Sequence, residues 1–262
     1  MNLTRTLPAL SLAKSPLVFV LGQVRYEPIL AMESFIPTIQ DTLRRKGFTG
    51  LVNRRMETTR IEGDQLSKEV ITQWEFQDAD KVRGILIDQN AITFQTTDYT
   101  SYDDFSEDLG VGLETLTEVA HPQTVQRIGL RYIDLVRATE GKHLESYVCP
   151  ELRGIHLEKL GRRIGQSNET LIFTGERRRL LARYTEAEQG MPIPLDLFPV
   201  NLAFKKPISQ SEPFAVLDTD HFEQLDREFG VESVLTSIGG LHDVLDQVFR
   251  VLVTKEALKE WE

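Results

Sequence analysis

The chain has 262 residues, of which 40% are hydrophobic and 27% charged, so it is not a disordered, collagen-like or disulfide-stapled chain. Its net charge of -10 is spread evenly over both halves. A protein that binds duplex nucleic acid usually presents a basic face. The charge therefore disfavours a nucleic-acid partner, and it favours solubility and basic partners.

Cysteine content and apolar runs indicate the compartment. Cys149 is the only cysteine, which excludes an intramolecular disulfide and fits a reducing environment. Residues 1–16 show no signal peptide, and no apolar run approaches the roughly 18 residues that a membrane span needs. We expect a cytoplasmic protein without membrane contact.

The first half of the chain contains predicted strands and two helices. After a loose leader at 1–15, β-forming residues predict a strand at 17–26. Apolar residues then recur at helical spacing from Met32 to Leu43, and Gly47 ends this helix. The remaining predicted elements are strands at 51–61, 69–77, 83–88 and 91–97, a helix at 102–119 and a strand at 125–136.

The second half has a less regular pattern. Residues 141–165 are interpreted as a short helix with a loop. The strongest helical periodicity spans 233–260, with an interruption at Gly239-Gly240 as an open alternative. Strands are predicted between these regions, at 169–175, 178–186, 199–206 and 213–219.

The order of these elements indicates the fold class. Strands come in consecutive runs and do not alternate strictly with helices, which favours an α+β fold with antiparallel sheets packed on long helices. A diverged tandem duplication is one interpretation of this order. We predict a leader at 1–15, an N-terminal α+β half at 16–140 and a C-terminal α+β half at 141–262 that ends in a long helix.

Motifs for phosphate binding, serine hydrolysis and standard zinc sites are absent from the sequence, and no cofactor is expected. The densest group of possible ligands is Asp218-Thr219-Asp220-His221. Asp218 and Asp220 fall on one strand face, where carboxylate oxygens suit a divalent cation. The alternative is a strand end whose acidic residues are merely solvated.

Arginines on predicted strands are candidate ligand-binding residues. Arg127 and Arg131 share one face of the strand at 125–136. Arg177 and Arg179 also alternate, so that both face a phosphate or carboxylate if the strand includes them. The alternative is an exposed hairpin whose charge is balanced by Glu176.

Two further residues are expected to be structural. Asp134 lies among apolar residues, and an acid buried alone is costly, so we expect it to pair with an arginine or accept backbone hydrogen bonds. His242 lies beside the apolar stripe of the last helix, where a histidine is usually hydrogen-bonded at the edge of the core.

Three segments carry a resemblance to a known family: Pro16–Val20, Val125–Asp134, and Leu241-His242 with Phe249 and Trp261. The chain resembles a sporadically distributed family of uncharacterised bacterial proteins of about this length. That family has an N-terminal P-L-V strand, a central L-R-Y-I-[ND] strand and a C-terminal L-H…F…W helix. This chain has Asp134 where Asn is usual. The resemblance implies no activity, but such patchy distribution is typical of phage-defence and toxin–antitoxin genes.

These observations support three hypotheses about function. The first is a non-enzymatic module that binds another protein, such as an effector, a toxin or an identical subunit in a homo-oligomer. The second is an enzyme or nucleotide-binding sensor whose arginines and acidic residues line a cleft between the two halves. The third is nucleic-acid binding through the arginine hairpins.

Overall fold

The structure is a computed structural model that describes residue 10 and residues 12–62, 65–155 and 159–262. The predicted leader therefore lies mostly outside the described residues. These described residues form nine strands and four α-helices, in the order β1 Leu17–Tyr26, α1 Met32–Arg45, β2 Gly50–Glu62, β3 Gln65–Gln77, β4 Arg83–Ile87, β5 Ala91–Thr96, α2 Tyr102–Ala120, β6 Thr124–Val136, β7 Gly165–Phe173, β8 Arg178–Ala187, β9 Phe214–Glu228, α3 Val231–Leu252 and α4 Lys255–Trp261.

All nine strands belong to one sheet, in the order β2-β3-β4-β5-β1-β6-β9-β8-β7. Every neighbouring pair is antiparallel. The α+β antiparallel prediction is therefore confirmed, although the helices have 7 to 22 residues and are not especially long. The predicted halves 16–140 and 141–262 both contribute strands to this sheet.

Three helices cover one face of the sheet, which we call the helix face. The alternating apolar residues of the central strands point towards α1, α2 and α3 and form the main core. Burial of this apolar surface is the dominant stabilising term in the fold. Its central members are Val20, Val24, Ile128, Leu130, Leu109, Leu113, Ile238 and Leu241.

A long connection, residues 188–213 between β8 and β9, crosses the opposite face, which we call the open face. We name this segment the strap. Its residues Ile193 and Leu202 pack on Phe19, Ile133 and Leu135 of the sheet in a second apolar cluster. The strap therefore covers one end of the open face and leaves the other end uncovered.

The predicted strand at 199–206 was wrong, because this segment lies within the strap. Its apolar residues Val200, Leu202 and Phe204 alternate as in a strand, but they pack on the sheet from outside. Its backbone bonds to other segments, for example from the Ala203 amide to the Lys81 carbonyl at 2.7 Å.

The single predicted helix at 233–260 is two helices. Val253 is extended and forms an isolated bridge with Val148, which ends α3. Thr254 then caps α4, since its side chain accepts a hydrogen bond from the Ala257 amide at 3.1 Å. Gly239-Gly240 does not interrupt α3, and a Cβ on Gly239 would lie 3.3 Å from the Tyr102 hydroxyl. The glycine therefore allows close packing of α3 on α2.

The irregular region after β6 contains two short 3-10 turns, Leu144–Ser146 and Pro150–Leu152. Within the described part of the chain, every helix is too short or too polar to cross a membrane.

Candidate functional site

The uncovered end of the open face is the candidate site. It is built from alternate residues of β1, β6, β9, β8 and β7, the same strands whose other residues fill the core. Its side chains are half-buried or exposed, and they combine arginines, aromatic rings and one carboxylate: Gln23, Arg25, Arg127, Asp220, Phe222, Arg179, Leu181, Leu171 and Phe173.

Gly129 of β6 creates the floor of this site. A Cβ at this position would lie 3.2 Å from Nη1 of Arg127, so the missing side chain lets the guanidinium fold over the strand. Arg127 donates to Oε1 of Gln23 at 3.4 Å and lies 3.5 Å from Oδ2 of Asp220. Both contacts are long, so Arg127 is only weakly paired.

Burial sets the protonation behaviour of this pair. It lowers the pKa of Arg127, although the charge of Asp220 opposes that effect. It also raises the pKa of Asp220, against the nearby arginines. A guanidinium titrates far above neutral pH, so Arg127 is charged under all ordinary conditions.

Arginine and phenylalanine side chains alternate across the four strands β6, β9, β8 and β7 in this part of the open face. Phe222 of β9 is opposite Arg179 of β8, which is opposite Phe173 of β7. The Arg127 guanidinium carbon lies 4.4 Å from the Phe222 ring centre, and that of Arg179 lies 4.6 Å from the Phe173 ring centre. Both distances fit cation–π stacking. We call Arg127, Phe222, Arg179 and Phe173 the Arg–Phe ladder.

A second charged row lies between the ladder and the strap. Arg131 binds Asp218 through Nε and Nη2, each at 2.7 Å, and Asp196 of the strap through Nη1 at 2.6 Å. Arg183 also contacts Asp218, at 3.3 Å, and Glu169 at 2.7 Å. Burial alone would lower the pKa of Arg131, but its hydrogen bonds to the two aspartates raise it.

The sequence-predicted residues therefore occupy different environments. Arg127 and Asp220 lie in the uncovered site, whereas Arg131 and Asp218 form a closed ion-pair network. Arg179 is in the ladder, but Arg177 is in the exposed turn before β8 and not on the strand. The carboxylates of Asp218 and Asp220 face arginines, and the described residues contain no group of three or more side chains that could hold a metal ion.

Asp134 does not have the expected arginine partner or backbone hydrogen bond within the described residues. It is buried on the helix face of β6 between Tyr132 and Val136, and its pKa is raised to about 7 by burial, against the nearby charge of Lys206. The arginines of β6 point to the open face, so strand alternation keeps them away from Asp134.

His242 belongs to an aromatic cluster on the helix face. Its Nδ1 lies 2.8 Å from the Tyr132 hydroxyl, and its ring stacks on Tyr102 with centres 4.3 Å apart. Burial lowers the pKa of His242, so the ring is neutral near pH 7. Burial also raises the pKa of Tyr99, which contacts Tyr132, to about 12.

Comparisons with protein families, curated proteins and solved structures find no match to this chain. The structure itself must therefore indicate the function.

Sequence reasoning missed an exposed apolar surface on the edge strand β7. Leu171, Ile172 and Phe173 are 56%, 45% and 71% exposed at its end. Exposed Leu160 and Ile164 precede its start, where they line a cleft of about 1330 Å³. The strand was predicted, but its place at the sheet edge depends on pairing that the sequence does not reveal.

Proposed function

We propose that this protein is a non-enzymatic binding module that contacts another protein chain along β7. The observation that supports this is that β7 is a terminal strand of the sheet and that, among the described residues, exposed apolar side chains lie at both of its ends. The outer edge of a terminal strand presents backbone N–H and C=O groups that a second chain pairs with.

Soluble proteins usually protect such an edge with lysine, proline, a bulge or a covering loop. β7, with the sequence GQSNETLIF, contains no lysine or proline, and it pairs with β8 without a register shift. Its one charged residue, Glu169, already binds Arg183 on the adjacent strand. The edge therefore has little to prevent strand addition, which favours a contact surface.

The wider system is proposed from the resemblance of the sequence alone. A module of this kind fits a bacterial accessory system of the phage-defence or toxin–antitoxin type, with an effector or toxin as the partner. We also propose that the halves derive from a diverged tandem duplication. In support, the halves 16–140 and 141–262 both contribute antiparallel strands to the sheet, and each supplies at least one helix of the helix face.

The proposal is tested by affinity purification of the full chain at native expression level, with mass spectrometry and mass photometry of the product. Leu171→Lys/Ile172→Lys places two charges on the edge, and we expect it to lose a partner that the wild type retains in stoichiometric amount. Leu30→Lys is the control, because Leu30 is also an exposed apolar residue, and a more exposed one, but lies between β1 and α1.

Circular dichroism establishes that both variants are folded. A homo-oligomer that the edge variant disrupts would identify the partner as a second copy of the chain. A wild-type monomer without any partner would contradict the proposal, as would a partner that the edge variant binds equally well.

A further inference from the structure

We propose that the Arg–Phe ladder, together with Arg25 of β1 opposite Arg127, binds a nucleotide, either free or as part of a single-stranded nucleic acid. This ligand class combines a planar base with a phosphate, and the site offers both stacking surfaces and cations. The inference does not rest on the proposed protein contact at β7: Phe173 lies on that strand, but the other ladder residues lie on β6, β9 and β8.

The stacking surfaces are the first part of the argument. Phe222 of β9 and Phe173 of β7 lie on the open face on either side of β8, with Arg179 between them in the register. Phe173 is 71% exposed, and the strap does not cover it. Aromatic rings and guanidinium planes on an open sheet face are the surfaces on which unpaired bases stack.

The charge pattern is the second part. Arg25 of β1 is directly opposite Arg127 of β6, and like charges placed opposite each other destabilise a sheet. Arg179 adds a third cation, while Asp220 is the one carboxylate among them and is weakly paired. A bound phosphate would relieve the repulsion between the arginines.

The neighbouring ion-pair network gives a contrast within the same face. Arg131 and Arg183 have their donors engaged by Asp218, Asp196 and Glu169 at 2.6 to 3.3 Å. Those arginines are neutralised by the protein itself, which leaves the ladder as the part of the open face with an excess of positive charge. Gln23 beside Arg127 adds an amide that suits the edge of a base.

The test measures fluorescence anisotropy of a short labelled oligoadenylate with the full chain at low salt, because the net charge of -10 opposes binding at long range. We expect saturable binding that weakens with salt. Phe222→Leu keeps an apolar side chain but removes the ring, and we expect affinity to fall about tenfold. Arg25→Gln, at an exposed position, should lower the salt slope by about one.

Arg44→Gln is the control, because Arg44 is an exposed arginine on α1 and pairs with Asp41. It should bind as the wild type does. Competition with AMP and with inorganic phosphate distinguishes a free nucleotide from a nucleic-acid strand as the ligand. If AMP competes as strongly as the unlabelled oligonucleotide, the ligand is a free nucleotide. If AMP competes weakly, the ligand is a strand. Absence of binding to both the oligonucleotide and AMP would overturn the inference. Unchanged affinity in Arg25→Gln would also overturn it, even if Phe222→Leu failed to fold.

Discussion

Asp134 is the clearest case of a single residue that destabilises the folded state. It is buried within β6, and Lys206, whose charge opposes its raised pKa, donates its own hydrogen bonds to the carbonyls of Ser15 and Leu17 at 2.5 and 2.6 Å. Burial without a direct partner raises the pKa of the carboxyl to about 7. The folded protein therefore holds this proton more tightly than the unfolded chain does.

This pKa predicts how stability depends on pH. The raised pKa contributes to the free energy of unfolding. That contribution is fully present below the unfolded-state pKa of Asp134 near 4, and it is lost as pH rises through the folded-state pKa of about 7. Asp134→Asn removes the charge, so we expect this variant to be more stable than wild type at pH 8, by up to about 4 kcal/mol. The difference should shrink towards zero at pH 4. Urea unfolding across this pH range measures it.

Comparing each variant with wild type cancels the effect of other titrating groups, including the buried His221 and His242, whose lowered pKa values favour higher pH. Asp226→Asn is the control, because Asp226 is exposed on β9, and its pH profile should follow that of the wild type. Parallel profiles for Asp134→Asn and the wild type would show that Asp134 stays ionised in the fold at no cost.

At the scale of elements, two histidines attach α3 to the sheet. His221 of β9 lies with Nδ1 3.2 Å from the Leu241 carbonyl and Nε2 2.8 Å from the Thr174 hydroxyl. His242 reaches from α3 to the Tyr132 hydroxyl of β6. These polar contacts sit among apolar ones and fix the position of the helix on the sheet.

We predict that Tyr132→Phe destabilises the protein by about 1 kcal/mol, because it leaves Nδ1 of His242 without its partner while keeping the ring. Chemical denaturation measures the free energy of unfolding. Tyr102→Phe is the matched control, since it also removes a tyrosine hydroxyl beside His242, one that bonds to Ser106 and contacts the Leu235 carbonyl at 3.4 Å, while its stacking on His242 is kept. An equal loss in both variants would refute a specific role for the Tyr132–His242 bond.

Periodicity predicted the elements that have one clearly apolar face. The stripe from Met32 to Leu43 became α1, whose apolar side is buried. The alternation in 125–136 became β6 although that strand is buried on both faces, because its arginines and its core residues point to opposite faces. The strap was mistaken for a strand because its alternating apolar residues pack on a sheet without joining it. The break after α3 depends on Val148, about a hundred residues away in sequence, and is invisible to local patterns.

The candidate site was predictable only in part. Arg127 and Asp220 were singled out by residue type, but their proximity comes from the pairing of β6 with β9. Phe222 and Phe173 carried no signal, because an aromatic residue in a strand usually fills the core. Their place on the open face follows from strand order, which the sequence does not specify.

At the scale of the whole molecule, pairing of β6 with β9 joins the two halves into one sheet. α3 from the second half packs on β6 from the first, and α2 and α3 share one core. Separating the halves would expose both edges of the sheet at its centre and the apolar face of α3. Neither 16–140 nor 141–262 is therefore expected to fold alone.

We predict that the full chain unfolds in one cooperative transition, although many chains of this length do not. Trp74 in β3 and Trp261 in α4 are buried in different halves and are the only two tryptophans. The single-tryptophan variants Trp74→Phe and Trp261→Phe report separately on each half, and circular dichroism reports on the whole. Within each variant, the fluorescence and circular dichroism curves should have the same urea midpoint. Separate midpoints would mean that the β6–β9 pairing does not couple the halves.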